Sequence, residues 1–245
     1  MGAGLKIIEA ITDKIVVPKC SAVIVAAGAS TRMGGVDKIV TDLAGKPMIL
    51  RAAEAFQQNG GVQEIIVVTR EELCGKVEQI LKIGGITKLA KVVPGGATRL
   101  ESVNKGLNWC SKKSKLVAIH DGARPMVSQR IITETIGKAA KLSAAAPAIP
   151  VTDTVRVVED GIGVQTPERK KLYAFQTPQV FDKDLVHAAV ISAIQKKLSV
   201  TDDCAAVEAM GGKIAVTQGE EENFKVTTRL DLAVANAICR RNDAK

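Results

Sequence analysis

Apolar residues in this chain fall into short continuous runs that alternate with stretches of helical spacing. The runs lie within residues 22–25, 64–69 and 116–119, and such runs are typical of strands buried on both faces of a parallel sheet. Residues 49–56 carry apolar side chains three and four apart, which predicts a helix that ends before Gly60. The alternation predicts an α/β fold with a mostly parallel sheet.

The rest of the chain continues this order of helix and strand. Thr98 and Glu101 have the spacing of a capping box, so we expect a helix to begin near Thr98 and run to about Cys110. A strand is expected over residues 144–151, interrupted by its two prolines. Further predicted elements are helices at 71–83, 129–142 and 186–194, a helix opened by Thr201, a strand at 214–217 and a final helix capped by Thr228.

Residues 151–172 differ from the rest of the chain. β-Branched and polar residues alternate up to Asp160-Gly161, a dipeptide typical of a hairpin turn, and a returning strand is expected from residue 162. We interpret this segment as a β-arm that projects from the sheet.

Composition limits the classes of function. The 245 residues fit one large α/β domain, and 46% hydrophobic residues are enough for a core. Aromatic residues make up 2%, which argues against base stacking on aromatic side chains as the main mode of binding. The net charge of +8 suits a polyanionic small substrate or solubility. No groove-reading motif is present, so we expect no nucleic-acid partner.

The cysteines favour a reducing compartment. Their number is odd and no CxxC occurs, so the sequence indicates neither a disulfide framework nor a zinc site. Charged residues interrupt any signal-peptide core in the first 20 residues, and no uncharged run approaches the ~20 residues of a membrane span. We therefore expect a cytoplasmic protein with no membrane partner. The five cysteines are Cys20, Cys74, Cys110, Cys204 and Cys239.

The first candidate site is the loop after the first strand. Ala26, Ala27 and Gly28 have almost no side chain, so a flat group can lie directly on their backbone. Arg32 and Lys38 follow in a glycine-rich stretch, which is typical of a phosphate-binding loop. The spacing fits neither a P-loop nor a dinucleotide fingerprint.

Two later segments resemble binding loops at strand ends. Gly95 and Gly96 precede the predicted helix at Thr98 and allow a second close backbone approach, while Ser102 offers a hydroxyl one turn later. His120 and Asp121 follow the strand at 116–119, at the sheet edge where ligands of open α/β proteins bind. We interpret His120 as a packed strand-end residue, and Asp121 as a functional one.

These segments and three others resemble, in order, the motifs of the cytidylyltransferase family of the nucleotide-diphospho-sugar transferase fold. The resemblance covers about residues 21–241 and implies a three-layer α/β/α sandwich with a protruding β-arm. Residues 1–20 are then an N-terminal extension, and 21–245 the catalytic domain. The motifs are AAGxxxRM…K from Ala26 to Lys38, GGxxRxxSV from Gly95, HDGARP from His120, PVTDT from Pro150, TPQ from Thr177 and NFKVT from Asn223.

The resemblance also implies residue roles. Arg32 and Lys38 would hold the triphosphate, with Mg²⁺ held mainly by the triphosphate and no protein residue assigned as its ligand. The arm would form a homodimer and carry Thr154 and Arg169 to the acceptor. The implied catalytic residues are Arg32, Lys38, Arg169 and Lys225; the CTP-binding residues are Ala26, Ala27, Gly28, Gly95, Gly96, Ser102 and Arg124; and the acceptor-binding residues are Asp121, Thr154, Arg169 and Lys225.

The implied reaction is transfer of CMP from CTP to a polyol phosphate. The closest resemblance is to enzymes that use 2-C-methyl-D-erythritol 4-phosphate in non-mevalonate isoprenoid biosynthesis, and the alternative acceptor is ribitol 5-phosphate. Guanylyl and uridylyl transferases share the fold, and a non-catalytic nucleotide sensor is a further alternative. Retention of Lys38, Asp121 and Lys225 together with Arg32 argues against the sensor. One departure is Asp37, where many family members have proline before the loop lysine.

Overall fold

The computed structural model describes residues 18–28 and 37–244. Most of the predicted N-terminal extension, and Arg32 within the first loop, lie outside the described residues. The first strand begins at Cys20, so this residue belongs to the sheet and not to the extension.

The strands alternate with helices as the sequence predicts. The strands are β1 (Cys20–Ala26), β2 (Asp42–Leu43), β3 (Lys46–Pro47), β4 (Val62–Thr69), β5 (Leu89–Pro94), β6 (Leu116–Asp121), β7 (Ala144–Pro150), β8 (Val157–Glu159), β9 (Ile162–Gln165), β10 (Tyr173–Phe175), β11 (Gln179–Asp182) and β12 (Ala215–Gln218).

The first five α-helices each end just before a glycine or a polar residue. Among the described residues, no helix combines the length and the apolar character that crossing a bilayer requires. The helices are α1 (Met48–Gln58), α2 (Cys74–Ile83), α3 (Arg99–Leu107), α4 (Gln129–Leu142), α5 (Lys183–Gln195), α6 (Asp203–Glu208) and α7 (Arg229–Asp243).

The main sheet has eight strands within the described part of the chain, and β1 lies near its centre. β1 pairs in parallel with β4 and with β6, and β4 pairs in parallel with β5. Beyond β6, β11 runs antiparallel and connects the sheet to β7, which also pairs with β10 and β12. The carboxyl ends of β1, β5 and β6 therefore meet at one edge of the sheet.

Apolar side chains on the two faces of the sheet form separate core clusters. Ile24 and Ile65 face the cluster beneath α1, α2 and α4, whereas Val23 and Ile66 face the cluster beneath α3, α5 and α6. Successive residues of a strand point to opposite faces, so a strand that is apolar throughout must be covered on both. The predicted three-layer α/β/α sandwich with a mostly parallel sheet is thus confirmed.

Two element boundaries differ from the sequence expectation. Helix α3 ends at Leu107 and not near Cys110, because Trp109 and Cys110 donate their N–H groups to carbonyls three residues back and tighten the last turn. Strand β7 is continuous through both prolines. The carbonyl of Pro147 still accepts a hydrogen bond from the Gln176 N–H at 2.7 Å, so the strand remains paired there.

The predicted β-arm is present as an antiparallel hairpin of β8 and β9. Asp160 and Gly161 connect the strands with φ values of 49° and 81°. Two successive residues with positive φ are typical of the type I′ turn, which matches the twist of a hairpin. Every residue of β8 and β9 is exposed, including the apolar Val158 and Ile162. In one chain the arm therefore presents apolar side chains to solvent.

Candidate active site

A cleft of about 290 Å³ opens at the carboxyl edge of β1 and β6. The small residues of the first loop form one wall, the start of α3 forms the opposite wall, and charged side chains lie between them. The lining residues are Val25, Ala26, Ala27, Gly28, Lys38, Ile39, Gly96, Ala97, Thr98, Arg99, Ser102, Asp121, Ala123 and Lys225.

The two small-residue segments approach each other closely at the back of the cleft. The N–H of Gly95 donates to the carbonyl of Thr69 at 2.7 Å, which ties the end of β5 to the end of β4. A Cβ atom at position 95 would lie 2.6 Å from Ala27 Cβ and 2.9 Å from Ser102 Oγ. Glycine is therefore required here by the close approach of the backbone, although Gly95 lies behind the lining surface.

The start of α3 is held rigidly by its own hydrogen bonds. Thr98 and Glu101 form the predicted capping box, with Thr98 Oγ1 accepting from the Glu101 N–H at 3.1 Å. Ser102 Oγ accepts from the Gly96 N–H at 3.0 Å and donates to the Thr98 carbonyl at 2.9 Å. Ser102 thus fixes the Gly96 loop in addition to lining the cleft.

Asp121 is the carboxylate at the centre of the cleft. It ends β6, where its Oδ2 lies 3.0 Å from Lys225 Nζ, and its carboxylate lies 3.6 Å from Arg99 and 3.7 Å from Arg124. Burial alone would raise the pKa of Asp121, but the three cations outweigh burial and lower this pKa to about 2. Asp121 is therefore ionised at neutral pH, and it orders the cations around it.

Lys38 enters the cleft from the side of the first loop. It opens a short 3₁₀ helix, Lys38–Val40, and its Nζ donates to the Val226 carbonyl at 3.2 Å, next to Lys225. Asp37, which stands where many family members have proline, forms an ion pair with Arg70 instead. Lys38 thus contacts the residue next to Lys225, and both lysines bring positive charge into the cleft.

His120 is fully buried, as its interpretation as a packed residue requires. Its Nε2 lies 3.1 Å from the Arg124 carbonyl, which can only accept, so Nε2 carries the proton and Nδ1 accepts from Thr177 Oγ1 at 3.0 Å. Thr177 Oγ1 in turn accepts from the Asp121 N–H at 3.1 Å. Burial lowers the pKa of His120 to about 4. The ring is neutral and supports the backbone of Asp121.

Not all the site residues expected from the sequence line the cleft. Arg124 is turned away, with Nη1 donating to the Asn223 carbonyl at 2.6 Å, so it supports Asp121 from behind. Thr154 and Arg169 are exposed at the base of the arm, where Arg169 Nη1 donates to the Thr152 carbonyl at 3.1 Å. The cleft of one chain is therefore formed without either of them.

Arg99 was not among the site residues expected from the sequence, yet it lines the cleft. Its Nη1 and Nη2 atoms donate to the two carboxylate oxygens of Asp203 at 2.9 and 2.7 Å. Burial alone would lower the pKa of Arg99, but Asp203 raises it, so the guanidinium stays charged. The signal was available, because Arg99 is the arginine of the GGxxRxxSV motif.

A dedicated metal centre is absent from the part of the chain that the structure describes, where no group of three or more His, Cys, Asp or Glu side chains could hold an ion. The cleft has one carboxylate in its lining, Asp121. Mg²⁺ bound through substrate phosphates usually has one or two protein carboxylates and several waters as its other ligands. The donor set therefore fits Mg²⁺ that arrives with a nucleotide.

Known proteins resemble this chain over most of its length. Residues 20–241 match the IspD family, described as 2-C-methyl-D-erythritol 4-phosphate cytidylyltransferase. The protein of that name from Caldanaerobacter subterraneus subsp. tengcongensis is 43% identical over 224 residues, which cover 90% of this chain and 99% of the relative. Its counterpart from Desulforamulus reducens is 42% identical over 227 residues, covering 91% and 96%.

Solved structures give the same result. The crystal structure of 4-diphosphocytidyl-2C-methyl-D-erythritolsynthase from Anaerococcus prevotii DSM 20548 superposes with a TM-score of 0.82 at 32% identity, covering 92% of this chain and 97% of that one. Sequence, fold and the order of the cleft motifs therefore agree. This chain belongs to the IspD family of 2-C-methyl-D-erythritol 4-phosphate cytidylyltransferases, and it is a nucleotidyltransferase.

Proposed function

We propose that this protein transfers CMP from CTP to 2-C-methyl-D-erythritol 4-phosphate, a step of non-mevalonate isoprenoid biosynthesis. The products are the CDP-linked methylerythritol and pyrophosphate. The observation that carries the proposal is the cleft, in which Lys38, Lys225 and Asp121 lie between two walls of small residues. Membership of the family adds the identity of the two substrates.

The chemistry requires charge and alignment more than a protein base. An oxygen of the acceptor phosphate attacks the α-phosphorus of CTP, and the bond from that phosphorus to the bridging oxygen of the pyrophosphate breaks. The attacking phosphate already carries about −1.5 to −2 charge at pH 7, so no side chain must remove a proton. The obstacle is repulsion between two anions, which Lys38 and Lys225 reduce.

The residues divide between the two substrates. Arg32 and Lys38 neutralise the triphosphate, and the acceptor is aligned with the α-phosphate by a second group of residues. CTP contacts Ala26, Ala27, Gly28, Gly96 and Ser102, with Gly95 behind that wall, whereas the acceptor contacts Asp121, Thr154, Arg169 and Lys225. Arg124 supports Asp121 from behind.

Mg²⁺ is the cofactor of this proposal, and the triphosphate holds it. When bound, the ion neutralises phosphate charge. Among the described residues, Asp121 is the carboxylate that lines the cleft, and it could bind the ion directly or through water. It stays ionised at neutral pH because its pKa is about 2.

The working assembly in this proposal is a homodimer formed through the arm. The hairpin exposes Val158, Ile162 and Val164, and a two-stranded hairpin is marginally stable alone in water. Docking on a two-fold partner would cover these side chains and bring Thr154 and Arg169 to the acceptor of the neighbouring site.

The cytoplasm is the proposed location. All five cysteines are free thiols in the structure, which suits a reducing compartment.

A pyrophosphate-release assay tests the function. Four nucleoside triphosphates are each combined with methylerythritol 4-phosphate, ribitol 5-phosphate and other sugar phosphates. We expect CTP to exceed ATP and GTP by at least ~100-fold in kcat/KM, which is about 2.7 kcal/mol of differential binding. Equal turnover with GTP would exclude a cytidylyltransferase, and a preference for ribitol 5-phosphate would replace the acceptor.

A further inference from the structure

We propose that Asp203 is a positioning residue that holds Arg99 in the cleft as a binding group for the nucleoside triphosphate. This inference rests on the proposed function. Asp203 itself does not line the cleft, and its side chain is 0% exposed. It acts through the two parallel hydrogen bonds to Arg99, whose side chain is 29% exposed and does line the cleft.

The position of Asp203 is set by the sheet. Gln179, the first residue of β11, is buried, and its Oε1 accepts from the N–H groups of Asp203 and Cys204, each at 3.1 Å. Its Nε2 donates to Asp202 Oδ2 at 2.7 Å. A side chain of the central sheet therefore fastens the start of α6, and α6 carries Asp203 to Arg99.

Arg99 lies between two carboxylates and is bound more closely by one of them. Arg99 Nη2 is 2.7 Å from Asp203 Oδ2 but 3.6 Å from Asp121 Oδ1. If Asp203 lost its charge, Arg99 would keep a partly buried charge without its nearest counter-ion, which is unfavourable. The nearest remaining carboxylate is Asp121, so Arg99 would turn towards it and compete with Lys225.

The wall around Arg99 indicates which substrate it serves. Arg99 follows Thr98 directly at the start of α3, on the same wall as Gly96 and Ala97. A guanidinium that gives two N–H groups to Asp203 retains three others. An anionic nucleotide in the cleft can take them, because the hydrogen bonds to Asp203 leave Arg99 Nη2 3.6 Å from Asp121 Oδ1, an ion pair without a hydrogen bond. The effect of Asp203 should therefore appear in the interaction with CTP more than with the acceptor.

A double-mutant cycle tests this role, with Asp203→Asn, Arg99→Ala and the double variant. We expect Asp203→Asn to lower kcat/KM for CTP by roughly 10- to 100-fold, mainly through KM, and to change KM for the acceptor by less than about 3-fold. In the Arg99→Ala background, Asp203→Asn should add less than about 2-fold, because it acts through Arg99. The dissociation constant of CTP from calorimetry should follow the same pattern without turnover.

Glu208→Gln is the matched control. It removes one negative charge from the same helix, because Glu208 is the exposed last residue of α6 and does not line the cleft. Its kcat/KM should stay within about 3-fold of wild type. If Asp203→Asn does not fold, as judged by thermal unfolding, Arg99→Lys must show the rise in KM for CTP, because lysine cannot form the two parallel hydrogen bonds.

The outcomes separate this inference from the proposed function. Two results would overturn the role of Asp203 if the wild-type protein turns over CTP as proposed. One is an unchanged KM for CTP in Asp203→Asn, and the other is fully additive losses in the cycle. Both leave the proposed function standing. A wild-type protein that binds no CTP in calorimetry overturns the proposed function, and this inference with it.

Discussion

Lys225 Nζ lies 3.0 Å from Asp121 Oδ2, so the cation proposed to bind the acceptor phosphate is paired with a carboxylate of its own chain. The two partners differ in accessibility, since the Lys225 side chain is 42% exposed and that of Asp121 is 10% exposed. Lys225 can therefore reach a phosphate from its present position, while Asp121 stays between Arg99 and Arg124. Asp121 thus serves as an anchor that points Lys225 into the cleft.

Removing Lys225 should weaken the acceptor side of the reaction. We expect Lys225→Ala to lower kcat/KM for the acceptor phosphate by roughly 10²–10³, the usual cost of losing one preorganised charged group. Steady-state kinetics at saturating CTP measure this change. The matched control is Lys138→Ala, an exposed lysine on α4 outside the cleft, which should leave the rate within about 2-fold. Equal losses in both variants would mean that only net charge matters.

Lys38 should act on the transition state. Lys38→Ala is expected to lower kcat by roughly 10²–10³, and Arg32→Ala to behave similarly. Folding should change little, because Lys38 extends into the cleft, where its Nζ bonds a backbone carbonyl. Single-turnover rates combined with thermal unfolding separate the two effects. A near-normal kcat in a folded Lys38→Ala protein would exclude a role of Lys38 in the transition state and indicate that the lysine is only structural.

His120 should make folding stability depend on pH. Burial lowers its pKa in the folded protein to about 4, compared with about 6.5 in an unfolded chain. Between these values the unfolded chain binds one proton more, so stability is complete above pH 6.5 and falls as the pH drops towards 4. The slope contributed is at most about 1.4 kcal/mol per pH unit.

Urea unfolding from pH 4.5 to 7.5 measures this slope. His120→Gln should remove most of it, whereas His187→Gln, which changes the only other histidine of the sequence, should keep it. A slope that persists unchanged in His120→Gln would show that other groups cause it. The pH optimum of activity should be the same in His120→Gln and in wild type. In wild type the neutral His120 ring supports the Asp121 backbone and transfers no proton.

The sequence predicted those parts of the site that depend on local structure. A run of small residues at a strand end and a capping box each depend only on residues close in sequence. The cleft walls at Ala26–Gly28 and Thr98 could therefore be located without coordinates. His120 was also predicted correctly, because a histidine at the end of an apolar run is expected to be buried.

The parts that the sequence did not reveal depend on distant partners. Arg99 is committed to Asp203, which is 104 residues away, and nothing in the spacing of either residue indicates the pair. Arg124 was expected near the nucleotide, but the carbonyl of Asn223, 99 residues away, draws it behind Asp121. Such contacts depend on how α6 and the segment before α7 pack against the sheet, and local patterns do not encode that packing.

The arm places Arg169 outside the cleft of its own chain. If the arm crosses to a two-fold partner, Lys38 and Arg169 of one working site come from different subunits. Two inactive variants, Lys38→Ala and Arg169→Ala, are therefore mixed one to one and allowed to exchange subunits. About half of the dimers become mixed, and each mixed dimer has one site with both residues intact. Activity should recover to about one quarter of wild type, from random pairing under two-fold symmetry.

If the arm folds back on its own subunit, every site in a mixed dimer lacks either Lys38 or Arg169, and nothing recovers. Mass spectrometry of the mixture confirms that exchange has taken place. A second mixture, of Lys38→Ala with Lys225→Ala, is the control, because both of these residues line the cleft of one chain. Each of its sites keeps one defect, so it should stay inactive, and recovery there as well would show that the exchange assay does not report on the arm.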